Sequence, residues 1–391
     1  MLFDNTKIGF DLKSNFELKR SLFLFTVISN RTITKIGSVI LKGLISLRWG
    51  WITNAQNSIT GFLTNQIYDQ FCAGFTNNLA MKTVNKLFSK NVYSYLHYSV
   101  EGGRDDASFD IHCQTVINSI EFASTKKNLP FTVFKPTAIG RTVEYEKSEV
   151  SQSIYNRFDK ICKKAFEKNI KILIDAEESW IQDSIDSLAE MMMKKYNKEK
   201  TIVFNTVQMY RHDRLDYLTR ILESAKKNNF KIGIKLVRGA YIEKENKRAK
   251  SLKYESPICI SKNATDINFD KGVDYILSNL DVFSLFCGSH NEKSLYKIID
   301  MINHRGLKKK SDKIWLAQLY GMSDHITFNL ANENYNVIKY LPWGPVNQVI
   351  PYLIRRAEEN TSVKGQTSRE LSLIRNEISR RKKAKKSGLH L

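Results

Sequence analysis

The chain is poor in the residues that break or cross-link a fold. Six prolines and eighteen glycines in 391 residues are too few for a linker-rich, fibrous or disordered polymer. The five cysteines, Cys72, Cys113, Cys162, Cys259 and Cys287, are odd in number, widely spaced and without a C-x-x-C. They support neither a disulfide framework nor a zinc site, and they suit a reducing compartment. There is no H-E-x-x-H and no second histidine at ligand spacing, so no catalytic metal is expected. The longest early apolar stretch, Leu22 to Ile28, falls well short of the ~20 residues needed to span a bilayer. The mostly polar first twenty residues do not have the shape of a signal peptide. Acidic residues are also in deficit, 40 against 61 basic ones, and the resulting charge of +21 would draw a polyanion, whether nucleic acid or anionic lipid.

What is present is enough for a large core, with 42% apolar and 11% aromatic residues. From about Asn15 to Lys90 the apolar residues recur at helical spacing, as in Ile36, Val39, Ile40, Leu44 and Leu47. Beyond that point eight short apolar runs alternate with amphipathic stretches: Val92 to Val100, Phe131 to Ala138, Ile170 to Ala176, Ile202 to Val207, Lys231 to Val237, Phe283 to Gly288, Ile314 to Leu319 and Val337 to Leu341. Continuous apolar strands separated by helices predict a parallel sheet covered by helices, and eight repeats predict an α/β fold of the (β/α)8 TIM type. An open doubly wound sheet would want a G-x-G-x-x-G turn, and none is present. The expected organisation is a helical segment over residues 1–90, a barrel over 91–375 and a basic tail over 376–391. Arg380 to Lys386 places six cations in seven positions, and is expected to be a frayed helix end or a disordered segment.

In such a barrel the chemistry sits at the C-terminal ends of the strands. The polar residues there are Glu101, Lys135, Asp175 with Glu177 and Glu178, Gln208, Arg238, His290, Gln318 and Tyr340. Lys235 to Tyr241 sets two cations and a glycine around one strand end, which suits an anion but also a salt bridge with a turn. Asp175, Glu177 and Glu178 could supply a general base or a partner for a cation, or simply complement a helix dipole. Near the C-terminus Tyr352, Arg355, Arg356 and Glu359 fall at i, i+3, i+4 and i+7, on one helical face that could be a solvated stripe or a carboxylate clamp.

Read together, these residues resemble the proline dehydrogenases. The resemblance is carried by Phe134-Lys135-Pro136-Thr137-Ala138, Ile174 to Glu178, Val207-Gln208-x-Tyr210, Leu236 to Tyr241, Thr265-Asp266 and Ser289-His290-Asn291. It continues through Gln318-x-x-Gly321-Met322, Tyr340-x-Pro342-x-Gly344 and Tyr352-Leu353-x-Arg355-Arg356-x-x-Glu359-Asn360. The resemblance implies a distorted barrel with a final helix over its mouth. It also implies a non-covalent FAD, and oxidation of L-proline to Δ1-pyrroline-5-carboxylate by hydride transfer to the flavin. Arg355, Arg356 and Lys135 would hold the substrate carboxylate, and Tyr340 and Tyr352 would shape its pocket. Asp175 and Lys235 would form the catalytic pair, Asp175 ordering the cations and Lys235 lying beside the flavin. Gln208, Arg238, Gly239, Ala240, Thr265, Asp266, Ser289, His290, Asn291 and Gln318 would line the cofactor.

The implied electron acceptor is a membrane quinone, reached by a peripheral hold on an anionic membrane surface. The implied location is the cytoplasm, at the inner membrane face, or the mitochondrial matrix in a eukaryote. No nucleic-acid partner is expected, and no second, aldehyde dehydrogenase domain. Three positions depart from the family pattern: Lys235 where many relatives have arginine, Ser289 where threonine is common, and His97 where an acidic residue is expected. Two other readings stay open here. One is a barrel aldolase with Lys135 as Schiff base, and the other a non-catalytic basic binding protein.

Overall fold

Runs rich in β-branched and aromatic residues become strands wherever both of their faces can be covered, and that condition is met from Val92 onward. The structure is a computed structural model and describes residues 1–29, 59–98, 105–147, 150–345, 349 and 366–387. Among these, eight strands form: β1 (Val92–Tyr98), β2 (Phe131–Phe134), β3 (Lys171–Ile174), β4 (Val203–Gln208), β5 (Ile232–Val237), β6 (Phe283–Gly288), β7 (Ile314–Leu319) and β8 (Val337–Trp343). They pair in parallel in the order β1-β8-β7-β6-β5-β4-β3-β2. The eight expected strands are the eight that form. β2 is shorter than expected because Pro136 has no N–H to continue the ladder and opens a 3-10 turn over Pro136–Ala138. Between β1 and β2 a backbone bond from Ser94 N–H to the Asn128 carbonyl, 3.1 Å, stands where a ladder would close the barrel, and this is the distortion of the ring.

Besides the four-residue helices Thr6–Gly9 and Thr142–Tyr145, the helices are α1 (Asn15–Ser29), α2 (Ile59–Phe71) and α3 (Asn77–Phe88) before the barrel. Around it lie α4 (Asp106–Ser124), α5 (Gln152–Lys168), α6 (Ser179–Tyr196), α7 (Arg214–Asn228), α8 (Ile242–Leu252), α9 (Lys262–Ser278), α10 (Glu292–His304) and α11 (Asp324–Asn332), and α12 (Gln366–Lys386) follows. Inside the barrel, Phe131 is fully buried, with edge-on contacts to Phe204 (5.5 Å), Phe286 (5.0 Å) and Trp315 (5.1 Å). Together with Tyr95, Leu173, Ile338 and Tyr340 these rings fill the interior, so polar chemistry is confined to the mouth above them. Truncating Phe131 to alanine would cost about 3–5 kcal/mol.

α1, α2 and α12 share a second apolar cluster that includes Leu18, Phe25, Phe71 and Ile374. Gly321, at φ +81°, lets α2 dock on the loop after β7, since a Cβ there would lie 2.0 Å from the Gln70 carbonyl oxygen. The expected loose tail differs from what is found. α12 runs unbroken to Lys386, and the buried Glu377 pairs with Arg380 (2.8 Å) and Arg381 (2.7 Å). Arg381 also donates to the carbonyls of Phe10 (2.9 Å) and Lys13 (2.8 Å). Enough apolar and ionic contact crosses to α1 to fix the first part of the basic run, which leaves Lys382, Lys383, Lys385 and Lys386 exposed. No described helix is long and apolar enough to cross a membrane. The expected helix over the mouth, with Tyr352, Arg355, Arg356 and Glu359, lies outside the described residues, as does Glu101.

Candidate active site

Lys235 pairs in register with Thr206 on one side and Phe286 on the other. Phe286 points into the barrel, and register partners in parallel strands share a face, so Lys235 does too. Its Nζ lies 2.5 Å from Oδ1 of Asp175, the residue that follows β3. Asp175 is anchored by its own N–H on the Phe134 carbonyl, 3.0 Å away. Burial pushes the Asp175 carboxyl up, but Lys235, with His97 and Lys135 behind it, outweighs burial and holds it below the usual carboxylate range. Lys135 precedes the turn after β2, and its charge acts on both Asp175 and Glu177. Tyr340 enters from β8, and its hydroxyl meets His97 Nδ1 at 2.5 Å.

The neighbouring carboxylates have other duties. Glu177 is buried and accepts from Thr137 Oγ1 (2.6 Å) and Tyr241 Oη (2.9 Å). Burial raises its affinity for a proton despite these donors and Lys135. Glu178 pairs with Lys244 of α8. Among the described residues, Asp175 is the one of these three acids whose ion pair lies within the barrel mouth.

A second polar group runs along the ends of β4 to β7. Arg238 donates to Asp266 (2.6 Å), Ser289 (3.0 Å) and Ser294 (2.8 Å), with its guanidinium 4.2 Å from the Phe269 ring centre. Burial raises Asp266, and Lys262 with Arg238 pull it below its ordinary range. Gln208 donates to the Glu177 carbonyl (2.8 Å) and accepts from Ala240 N–H (3.2 Å). Gln318 donates to the Ser289 carbonyl (3.2 Å) and accepts from Thr327 (3.0 Å). His290 accepts from Leu319 N–H at Nε2 (3.3 Å), which puts its proton on Nδ1, facing Ser323 Oγ at 2.8 Å. Asn291 caps α10 by accepting from Ser294 N–H (3.3 Å). Thr265 turns its hydroxyl back to the Ser261 carbonyl (3.2 Å) within its own helix. Gly239 stands at φ +131°, where a Cβ would lie 2.5 Å from the Tyr210 ring.

The structure thus brings Lys135, Asp175, Lys235 and Tyr340 to one chamber, and Gln208, Arg238, Gly239, Ala240, Asp266, Ser289, His290, Asn291 and Gln318 to the adjoining strand ends. Sequence reasoning gave no role to Thr137 and Tyr241, although both stand in the quoted motifs, and it missed Ser294, which lies three residues beyond Asn291. It also missed the wholly buried Lys339, which points outward between Ile338 and Tyr340 to Asp324 of α11, 2.9 Å away.

Residues 80–369 match the Proline dehydrogenase family model. Over 331 residues the chain is 33% identical to the carbapenem antibiotics biosynthesis protein CarD of Pectobacterium carotovorum subsp. carotovorum, covering 82% of this chain and 85% of CarD. It is 30% identical to Proline dehydrogenase 2, mitochondrial, of Arabidopsis thaliana, covering 97% of this chain and 92% of the plant protein. The chain spans only 36–41% of the animal proline dehydrogenases it resembles. Among solved structures, proline utilization A from Bdellovibrio bacteriovorus superposes with a TM-score of 0.72 over 93% of this chain and 38% of its own, at 17% identity, a likeness of fold. A match that begins in α3, runs through all eight barrel strands and ends in α12 shows that the chain belongs to the proline dehydrogenase family.

Proposed function

We propose that the protein oxidises L-proline to Δ1-pyrroline-5-carboxylate with a non-covalent FAD and passes the electrons to a membrane quinone. The observation that carries this reading is the Lys235–Asp175 pair, with Lys135 and Tyr340 in the same chamber above an aromatic floor. Lys135 and Lys235 set two ammonium groups at the mouth, which suits a small carboxylate substrate.

The residues at the ends of β4 to β7 fit a flavin dinucleotide. Gly239 and Gly288 keep the backbone bare at the ends of adjacent strands, where a Cβ would meet the Tyr210 ring at 2.5 Å and Val237 Cγ1 at 3.0 Å. Around them stand amide, hydroxyl and guanidinium groups of Gln208, Arg238, Ser289 and Gln318, of the kind that pyrophosphate and ring carbonyls require. These residues, with Ala240, Thr265, Asp266, His290 and Asn291, would hold FAD, which when bound supplies the two-electron acceptor. Lys135, with Arg355 and Arg356 from outside the described residues, would hold the carboxylate, while Tyr340 and Tyr352 pack the ring. Orientation then dominates the rate: the carbon next to the ring nitrogen gives up a hydride equivalent and the nitrogen a proton. Asp175 is held as a carboxylate by Lys235 and would order that lysine in turn.

The exposed lysines of α12 would supply a charge-based hold on an anionic leaflet, at the cytoplasmic face or in a mitochondrial matrix. The Schiff-base aldolase reading draws no support from this family. The test is dye-linked turnover of flavin-loaded protein on L-proline, with the imine product captured by o-aminobenzaldehyde. Absence of dye reduction would remove the proposal.

A further inference from the structure

His97 was marked in the sequence as a departure, and its place in the fold gives it work. In β1 it follows Tyr95 by two residues, so strand alternation aims both at the barrel interior, His97 one layer nearer the mouth. β1 and β8 run in register, with Tyr95 beside Tyr340 and His97 beside Pro342. The Tyr340 ring is packed 5.1 Å from Tyr95 and 5.5 Å from the imidazole, the latter tilted by 31°. Its hydroxyl lies 2.5 Å from His97 Nδ1. The imidazole also acts electrostatically on Asp175, which places the pair in the chamber of Lys235 and Lys135.

Resting on the proline-oxidising reading, we propose that His97 is a positioning residue: its bond to Tyr340 fixes the phenol in the plane and at the depth where the substrate ring must pack. The Nδ1 contact restrains the rotation of the hydroxyl and the depth of the ring, whichever partner carries the proton. His97 touches no reacting atom in this role. Its effect falls on substrate binding and orientation through Tyr340.

The experiment compares His97→Phe, which keeps a ring but removes the bond, with His97→Asn, which keeps a polar atom near the Nδ1 position. Both are measured beside Tyr340→Phe and the double variant His97→Phe/Tyr340→Phe, all loaded with FAD. His97→Phe should raise KM for L-proline at least tenfold with flavin content unchanged, and His97→Asn should stay within about threefold of wild type. The double variant should be no worse than Tyr340→Phe alone, because one bond is removed either way. The dissociation constant of tetrahydrofuran-2-carboxylate, a ring analogue of proline, should follow the same order without turnover. Wild-type KM in His97→Phe, or losses that multiply in the double variant, would overturn the inference. A wild-type protein that does not turn over L-proline would instead overturn the reading on which it rests. The bond itself remains measurable in that case, because Tyr340→Phe should shift the His97 imidazole resonances in substrate-free protein.

Discussion

Lys235 and Asp175 stand 60 residues apart in the chain and 2.5 Å apart in the fold, joined across the mouth of the barrel over the buried Thr206 of β4. Burial alone would favour a protonated Asp175, and Lys235 reverses this. Asp175→Asn should therefore leave an unpaired ammonium in the chamber. We expect kcat/KM for L-proline to fall by roughly 30- to 1,000-fold, an apparent loss of about 2–4 kcal/mol. The flavin band should persist. A variant that retains wild-type kcat/KM would show that the pair only braces the barrel.

Arg355 and Arg356 are read from sequence as the carboxylate clamp. Arg355→Met or Arg356→Met should mainly raise KM, with a loss of roughly 2–4 kcal/mol in kcat/KM and unchanged flavin content. Steady-state kinetics beside a flavin-to-protein absorbance ratio decide this. Unchanged KM in both would make the stripe structural.

The N-terminal segment and α11 are clasped by Asp324, which pairs with Lys339 (2.9 Å) and Lys13 (3.3 Å). Burial raises the Asp324 carboxyl, but the two lysines bring it down to about 2 from an ordinary 3.8. Burial disfavours the charged form of Lys339. A depressed folded-state value means that the carboxylate's stabilisation is present above pH 3.8 and is lost as pH falls toward about 2. Urea titrations should show stability dropping through that window. In Asp324→Asn the drop should flatten, and the neutral-pH stability should fall by about 3–5 kcal/mol because Lys339 is left buried and unpaired. A pH profile parallel to wild type would contradict the clasp.

The basic end of α12 separates into cations that hold the fold and cations that face solvent. Arg381 is tied to the carbonyls of Phe10 and Lys13, so truncation at Arg380 would also loosen the N-terminal segment. Replacing the exposed Lys382, Lys383, Lys385 and Lys386 by serine is the cleaner test. Each contributes ~1 kcal/mol to attraction by an anionic leaflet within a Debye length of ~8 Å. The parent should co-sediment with anionic but not neutral liposomes, and the four-serine variant should be released without change in dye-linked turnover. Equal sedimentation would assign the hold to the rest of the chain's positive charge.

The barrel was legible because a parallel strand buried on both faces is a continuous apolar run, as in the fully buried Val203–Gln208. Strand ends were less so. Pro136 stops β2 early, whereas β8 carries Pro342 at its end, where its carbonyl accepts from Ala73 N–H at 2.8 Å. Motif spacing placed Lys135, Asp175, Lys235 and Arg238 at the mouth, but not who pairs with whom. Arg238 finds its partners on α9, after β6 and on α10, three segments no local pattern connects. Lys339 was illegible for a different reason. A lysine alternating with Ile338 and Tyr340 reads as a solvent-facing strand residue, whereas in the fold it is buried against Asp324 of α11 and the carbonyls of Leu319 and Met322.

The central claim is that this barrel holds a flavin which L-proline reduces. The most direct measurement is the visible absorbance of the purified, FAD-supplemented protein under anaerobic conditions, before and after L-proline. We expect a band near ~450 nm that co-elutes with the protein, from the cofactor's own chemistry, and its bleaching by L-proline. A folded protein that takes up no FAD, or whose bound flavin stays oxidised in saturating L-proline, would contradict it.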